Sequence, residues 1–346
     1  MRRAAILALA LSCIPALAPP AMAQTWLAES AQALPSTDTG WGAITFDEAT
    51  GRLFVARRAD GLLVWDTKTR QSVTVENSVG ANGVVLVPEF NRAYAAMTDG
   101  TLLAFDATTL KPIERLDLGA GDLDQPFYEP TQKRIHVITG ARAEKVMWIT
   151  LDAANGQVLS RTEFNSKRMD PPATDGHGAI FAPMRDRAQL QQLDARDLSV
   201  QKTWKLGECT QPAAAVWDAA AERVLIACRG EKPVFVALSP AAGVVATVPI
   251  GQGAGGLVFD AARRLVVTAN GDGTFSVIRQ DKPDAYALVE TIATRPMARV
   301  LQLDARTGRL MTVTASFTDP APAADGKSAA LFYHPDSFSV LTYHAK

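Results

Sequence analysis

Apolar positions in this chain come in short runs that end on an acidic or turn residue, make a tight turn, and start again. Ala43-Ile44-Thr45-Phe46-Asp47 leads into Leu53-Phe54-Val55-Ala56, Val84-Val85-Leu86-Val87-Pro88 into Ala93-Tyr94-Ala95-Ala96, and Ala215-Val216-Trp217-Asp218 into Val224-Leu225-Ile226-Ala227. Leu257-Val258-Phe259-Asp260 into Leu265-Val266-Val267-Thr268, and Val300-Leu301-Gln302-Leu303-Asp304 into Leu310-Met311-Thr312-Val313, continue the series. Runs this short, rich in β-branched and aromatic residues and bounded by turn formers such as Thr50-Gly51 and Thr307-Gly308, predict strands joined as hairpins. The Asp at each strand end is expected to accept hydrogen bonds from backbone N–H groups of the turn that follows.

A second phrase recurs after each hairpin: Leu62-Leu63-Val64-Trp65-Asp66-Thr67, Leu102-Leu103-Ala104-Phe105-Asp106-Ala107, Trp148-Ile149-Thr150-Leu151-Asp152-Ala153 and Gln191-Gln192-Leu193-Asp194-Ala195. This is a third strand, and segments such as Pro112 to Leu118, Val200 to Leu206 and Val244 to Ile250 supply a fourth. Four antiparallel strands in a unit of about 40 to 45 residues make one propeller blade. The predicted fold is therefore all-β, a seven-bladed β-propeller over residues 24–346, with blades near 40–80, 81–121, 122–165, 166–209, 210–253, 254–296 and 297–346. The fourth blade is irregular, because Asp170-Pro171-Pro172-Ala173-Thr174-Asp175 makes a poor inner strand. A Pro/Ala/Gly-rich insertion from Asp319 to Gly326 reads as a surface loop in the last blade. Trp26 to Leu34 reads as an outer strand that could close the ring, with Ser337 to Tyr343 competing for that place.

Residues 1–23 look like a targeting segment: Arg2-Arg3, an apolar stretch from Ala4 to Leu11, and Ala21-Met22-Ala23 before Gln24. Cleavage there would export the chain to the periplasm. Ala10-Leu11-Ser12-Cys13 loosely matches a lipoprotein box, in which Cys13 would carry the lipid. No other stretch approaches the roughly 20 apolar residues of a membrane span. With 35 Lys and Arg against 36 Asp and Glu, the near-neutral chain gives no reason to expect nucleic acid as a partner. A monomer is the expected state. In an oxidising compartment Cys209, in the turn entering the fifth blade, and Cys228, ending that blade's second strand, are candidates for a disulfide.

Chemical motifs are sparse. Gly251-Gln252-Gly253-Ala254-Gly255-Gly256 matches a dinucleotide fingerprint, but a strand follows it where the fingerprint needs a helix. Trp65-Asp66 and Trp217-Asp218 fall on different strands of their units, so they are not one WD motif. Asn270-Gly271-Asp272-Gly273 is explained by a hairpin turn. His136, His177, His334 and His344 lack metal-site spacing, so neither a metal nor a cofactor is expected. One distribution does point to a site. Loops linking second to third strands, and one blade to the next, emerge on the same face of a propeller, and here they carry Arg57, Arg58, Arg142, Arg168, Arg185, Arg187, Arg229 and Arg295, with Arg299 nearby. Guanidinium groups gathered at a channel mouth favour a carboxylate or phosphate. Asp60, Asp99, Asp124, Glu144, Asp170, Asp186, Glu231 and Asp272 share these loops, and local ion pairs with them can neutralise much of that field.

The units resemble those of the YVTN-repeat, YncE-like propellers, a family of exported bacterial proteins. The matching features are Gly256-Leu257-Val258-Phe259-Asp260, Gly51-Arg52-Leu53-Phe54-Val55-Ala56, the third-strand ends at Trp65-Asp66-Thr67 and Phe105-Asp106-Ala107, and the blade-closing Gly80, Gly119 and Gly251. The resemblance covers nearly the whole mature chain and implies a seven-bladed ring without a universal active site. It leads to the expectation of a non-catalytic binding scaffold that contacts a protein partner or an anionic small molecule through the arginine-bearing face. Two alternatives are a lactonase-like hydrolase, which needs an acid/base or metal cluster at the channel mouth, and an accessory protein of a periplasmic redox or metal pathway.

Overall fold

The computed structural model describes residues 25–37, 40–142, 144–319 and 331–346. The targeting segment, Cys13 and most of the insertion after Asp319 lie outside the described residues. The described chain forms seven four-stranded antiparallel sheets and one small two-stranded hairpin, Phe317–Thr318 with Phe332–Tyr333. No helix among the described residues is long and apolar enough to cross a membrane.

Each of the first six sheets runs outward in chain order, as in Trp41–Asp47, Arg52–Arg57, Gly61–Asp66 and Ser72–Thr74. The other inner strands are Ala81–Val87, Phe127–Glu129, Ala173–Thr174, Pro212–Asp218, Gly256–Asp260 and Leu301–Asp304. Two residues are all that the Asp-Pro-Pro segment leaves for pairing in the fourth blade, since proline cannot donate to a ladder. In the seventh blade the order is Leu301–Asp304, Arg309–Thr314, Ser339–Ala345 and then Trp26–Ala33. The two terminal segments therefore do not compete: the C-terminal one is the third strand, and the N-terminal one pairs outside it, Trp26 opposite Ala345 and Ala33 opposite Ser339.

Alternation along these strands turns both faces of each sheet toward neighbouring blades, and the buried side chains fall into seven apolar clusters, one between each adjacent pair. Leu53, Val55, Leu63 and Trp65 of the first blade, for example, pack on Met311, Val313 and Val340 of the seventh. Inner strands approach so closely that a Cβ on Gly42 would lie 1.9 Å from the Asn82 carbonyl oxygen.

The recurring aspartates serve the turns. Asp66 accepts from the N–H groups of Lys68 and Thr69, both at 2.8 Å, Asp106 from those of Thr108 and Thr109, and Asp152 from those of Ala154 and Asn155. Asp218 and Asp260 do the same after inner strands, and Glu129 substitutes in the third blade. Asp66 and Asp106 are held below the usual carboxylate range chiefly by these backbone donors.

Candidate functional site

The central channel opens into a cavity of about 630 Å³ on the face where second strands end and inner strands begin. Five arginines line it. Arg58, Arg185 and Arg229 occupy equivalent places, each the first residue after its blade's second strand, which ends at Arg57, Met184 and Cys228. Arg168 and Arg299 come from the segments leading into the inner strands of the fourth and seventh blades. Trp41, Asn82 and the small residues Ala213 to Ala215 and Gly255 to Gly256 form much of the remaining wall. Three carboxylates, Asp122, Asp124 and Asp170, share the cavity.

Those carboxylates are already committed. Asp122 pairs with Arg142 at 2.7 Å, Asp124 with Arg168 at 3.1 Å, and Asp170 accepts from Arg185 while lying 3.9 Å from Arg168. Arg58 donates through Nε to the Asn82 side-chain oxygen at 3.1 Å, and Asn82 in turn donates to the Leu123 carbonyl. Arg229 and Arg299 have no ion pair or side-chain hydrogen bond among the described residues. Burial, with Arg185 and Arg299 close by, lowers the Arg229 guanidinium to about 10. Burial and the neighbouring Arg58 and Arg168 lower that of Arg299, against the opposing effect of Tyr333. Both groups hold a charge at neutral pH in a place that disfavours it, the electrostatic condition in which an incoming anion gains most.

Four of the eight arginines expected at a site, Arg58, Arg168, Arg185 and Arg229, come together at the mouth; the others do not. Arg57 turns inward, donating to the Pro35 carbonyl at 2.8 Å and lying over the Phe338 ring. Arg142 is held by Asp122 and the Ala120 carbonyl, and Arg187 by Asn165. Arg295 is exposed outside the cavity, and its neighbour Arg299 takes the channel position. Asn82, the polar residue among apolar ones in the inner strand Ala81–Val87, belongs to the site without standing out in the sequence. Its place in an otherwise apolar run was the one available signal.

Cys209 and Cys228 form a disulfide with a Cα separation of 5.3 Å, at the cavity end of the fifth blade and next to Arg229. None of the four histidines lines the cavity. His136 is buried against Phe127 and bonded to Thr150 at 3.0 Å, and burial lowers its imidazole to about 3. Among the described residues no group of three or more His, Cys, Asp or Glu is placed to hold a metal ion. The glycine-rich Gly251 to Gly256 segment runs straight into a strand, as its sequence suggested.

No protein-family model matches the chain, and a comparison with curated proteins gives no match. Solved structures do resemble it. A chain in the crystal structure of the Mitotic Checkpoint Complex is 13% identical at a TM-score of 0.71, over 96% of this chain and 99% of that one. A chain of the Kuenenia stuttgartiensis hydrazine synthase is 12% identical at 0.67, over 87% of this chain and 97% of that one. At such identities the likeness extends to architecture alone. Ring, blade count and topology together make this chain an all-β, seven-bladed propeller.

Proposed function

We propose that this protein is a non-catalytic binding propeller, exported in the manner of the YVTN-repeat family, that receives an anionic group at its channel mouth. The observation that carries this reading is the pair Arg229 and Arg299, two half-buried guanidinium groups in a collar of five arginines, neither of them in an ion pair or a side-chain hydrogen bond among the described residues. A fork of N–H donors matches a carboxylate, sulfate or phosphate, and a cavity of this volume is of the size that holds small ligands. An acidic side chain of a protein partner offers the same chemistry on a larger body.

Isothermal titration with sulfate, whose charge is constant between pH 5 and 8, tests the reading. Saturable binding is expected for the native protein, with loss of at least tenfold in affinity for Arg229→Gln and for Arg299→Gln. Absence of saturable binding by the native protein, or unchanged affinity in both variants, would overturn it.

A further inference from the structure

The cavity at the channel mouth has two zones along its depth. Inner strands begin at the arginine-bearing face and run away from it, so the place of a lining residue in its strand gives its depth. Among the described residues every charged side chain of the lining lies outside the inner strands. Each either follows a second strand, as Arg58, Arg185 and Arg229 do, or precedes an inner one, as Asp124, Arg168 and Arg299 do. Below this charged collar the inner strands present Ala43, Ile44, Ala215, Val216, Leu257 and Leu301 to the cavity. Asn82 and Gln302 interrupt the inner-strand lining, and both are engaged: Asn82 between Arg58 and the Leu123 carbonyl, and Gln302 by donating to the Ile44 carbonyl at 3.0 Å.

The apolar zone is not sealed core. Ala214, Ala215 and Val216 of the fifth blade's inner strand are only half-buried and line the cavity, whereas Val224 to Cys228 of the strand behind it are buried. An inorganic anion held at the collar leaves that wall against water, and it fills little of a cavity of about 630 Å³, a volume suited to an organic ligand. An apolar body below the anion covers the wall, which the hydrophobic effect favours. We infer that the ligand is a single-headed amphiphilic acid, its acidic group received by the arginine collar and its aliphatic body lying down the channel against Ala43, Ala215 and Val216. This rests on the channel mouth being an anion site. The division of labour follows from the two zones: the collar selects for charge, and the inner-strand wall selects for apolar length.

The test needs no identified ligand. Butanoate, hexanoate and octanoate are titrated into the full chain at neutral pH and constant ionic strength, beside sulfate and the uncharged hexan-1-ol. Affinity is expected to rise about threefold for each added methylene that the wall buries. Hexan-1-ol should bind at least tenfold more weakly than hexanoate, and sulfate should compete with octanoate. Ala215→Gln, which sets an amide on the wall, should flatten the rise with chain length, with native circular dichroism retained. An affinity independent of chain length, while sulfate still binds, would overturn the amphiphile and leave the anion site standing. A rise with chain length that sulfate does not compete away would put the apolar body on another surface and overturn it equally. Failure of every acid and of sulfate would overturn both readings. The series on the unaltered protein decides the matter even if Ala215→Gln does not fold.

Discussion

Arg185 donates a hydrogen bond through Nη2 to Oδ1 of Asp170, while Oδ2 of that carboxylate is buried with no partner. Burial pushes the Asp170 carboxyl up to about 6, against the attraction of Arg185 and Arg168 and with a further push from Asp124. In the unfolded chain the same group ionises near 3.9. Between about pH 4 and 6 the folded protein thus retains a proton that the unfolded chain has lost, so this group's contribution to stability falls as pH rises through the window. The full excursion is up to about 3 kcal/mol. Urea unfolding of the native protein and of Asp170→Asn, followed across this range, should show the native protein losing stability relative to the variant as pH rises. Parallel profiles would mean that Asp170 stays ionised in the fold.

The ring is fastened at its first described strand. Trp26 is 0% exposed, packs with Leu310, Leu341 and Tyr343, and donates its indole N–H to the Gly308 carbonyl at 2.7 Å. Arg309 adds a two-armed pair to Glu29, both contacts at 2.7 Å. Trp26→Ala removes a large buried ring and leaves a cavity, an effect worth about 3–5 kcal/mol. Arg309→Ala, which breaks a partly exposed pair, should cost about 1 kcal/mol or less. Equilibrium denaturation of both variants checks the ordering, and equal losses would show that the strand is held from its edge and not through its core.

Blade architecture was legible because one physical pattern, a short run buried on both faces and ending on a turn-bonded carboxylate, recurs at Asp66, Asp106, Asp152 and, with glutamines in the run, at Asp194. Asp170-Pro171-Pro172 equally announced the weak strand of the fourth blade. The site was legible only to the level of a face. Arg57 and Arg58 are adjacent, yet alternation sends the first to Pro35 and Phe338 and the second to Asn82. Arg187 leaves the mouth within one 3-10 turn of Arg185. Which arginines are neutralised depends on partners far away in the chain, such as Asp124, 44 residues before Arg168, and no local pattern encodes that pairing. The same distance hid the role of Arg299, whose channel position is set by the close approach of Gly255 to its backbone and side chain.

Cys209 and Cys228 are 19 residues apart and join the entry of the fifth blade to the end of its second strand, both fully buried. Closing a loop of this length restricts the unfolded chain by about 3 kcal/mol. The double variant Cys209→Ala, Cys228→Ala should lower stability by about 2–4 kcal/mol. Because the bridge ends beside Arg229, the variant should also weaken sulfate binding more than Trp26→Ala does at a temperature where both remain folded. Equal binding in the two would separate the disulfide from the geometry of the mouth.

Arg229 is where binding and stability pull in opposite directions. Its guanidinium is lowered to about 10 by burial and by the Arg185 and Arg299 charges, so keeping it ionised at neutral pH costs the unliganded fold. After a discount for the solvent that still reaches the group, that cost is about 1 kcal/mol. Arg229→Gln removes the charge while keeping much of the side chain's length, and should raise the melting temperature of the unliganded protein. Adding sulfate should stabilise the native protein by mass action and leave the variant's melting nearly unmoved, so that the two curves approach or cross as the anion concentration rises. A variant less stable than the native protein in the absence of anion would show that Arg229 is compensated within the fold, and would remove the physical reason for placing a ligand's acidic group beside it.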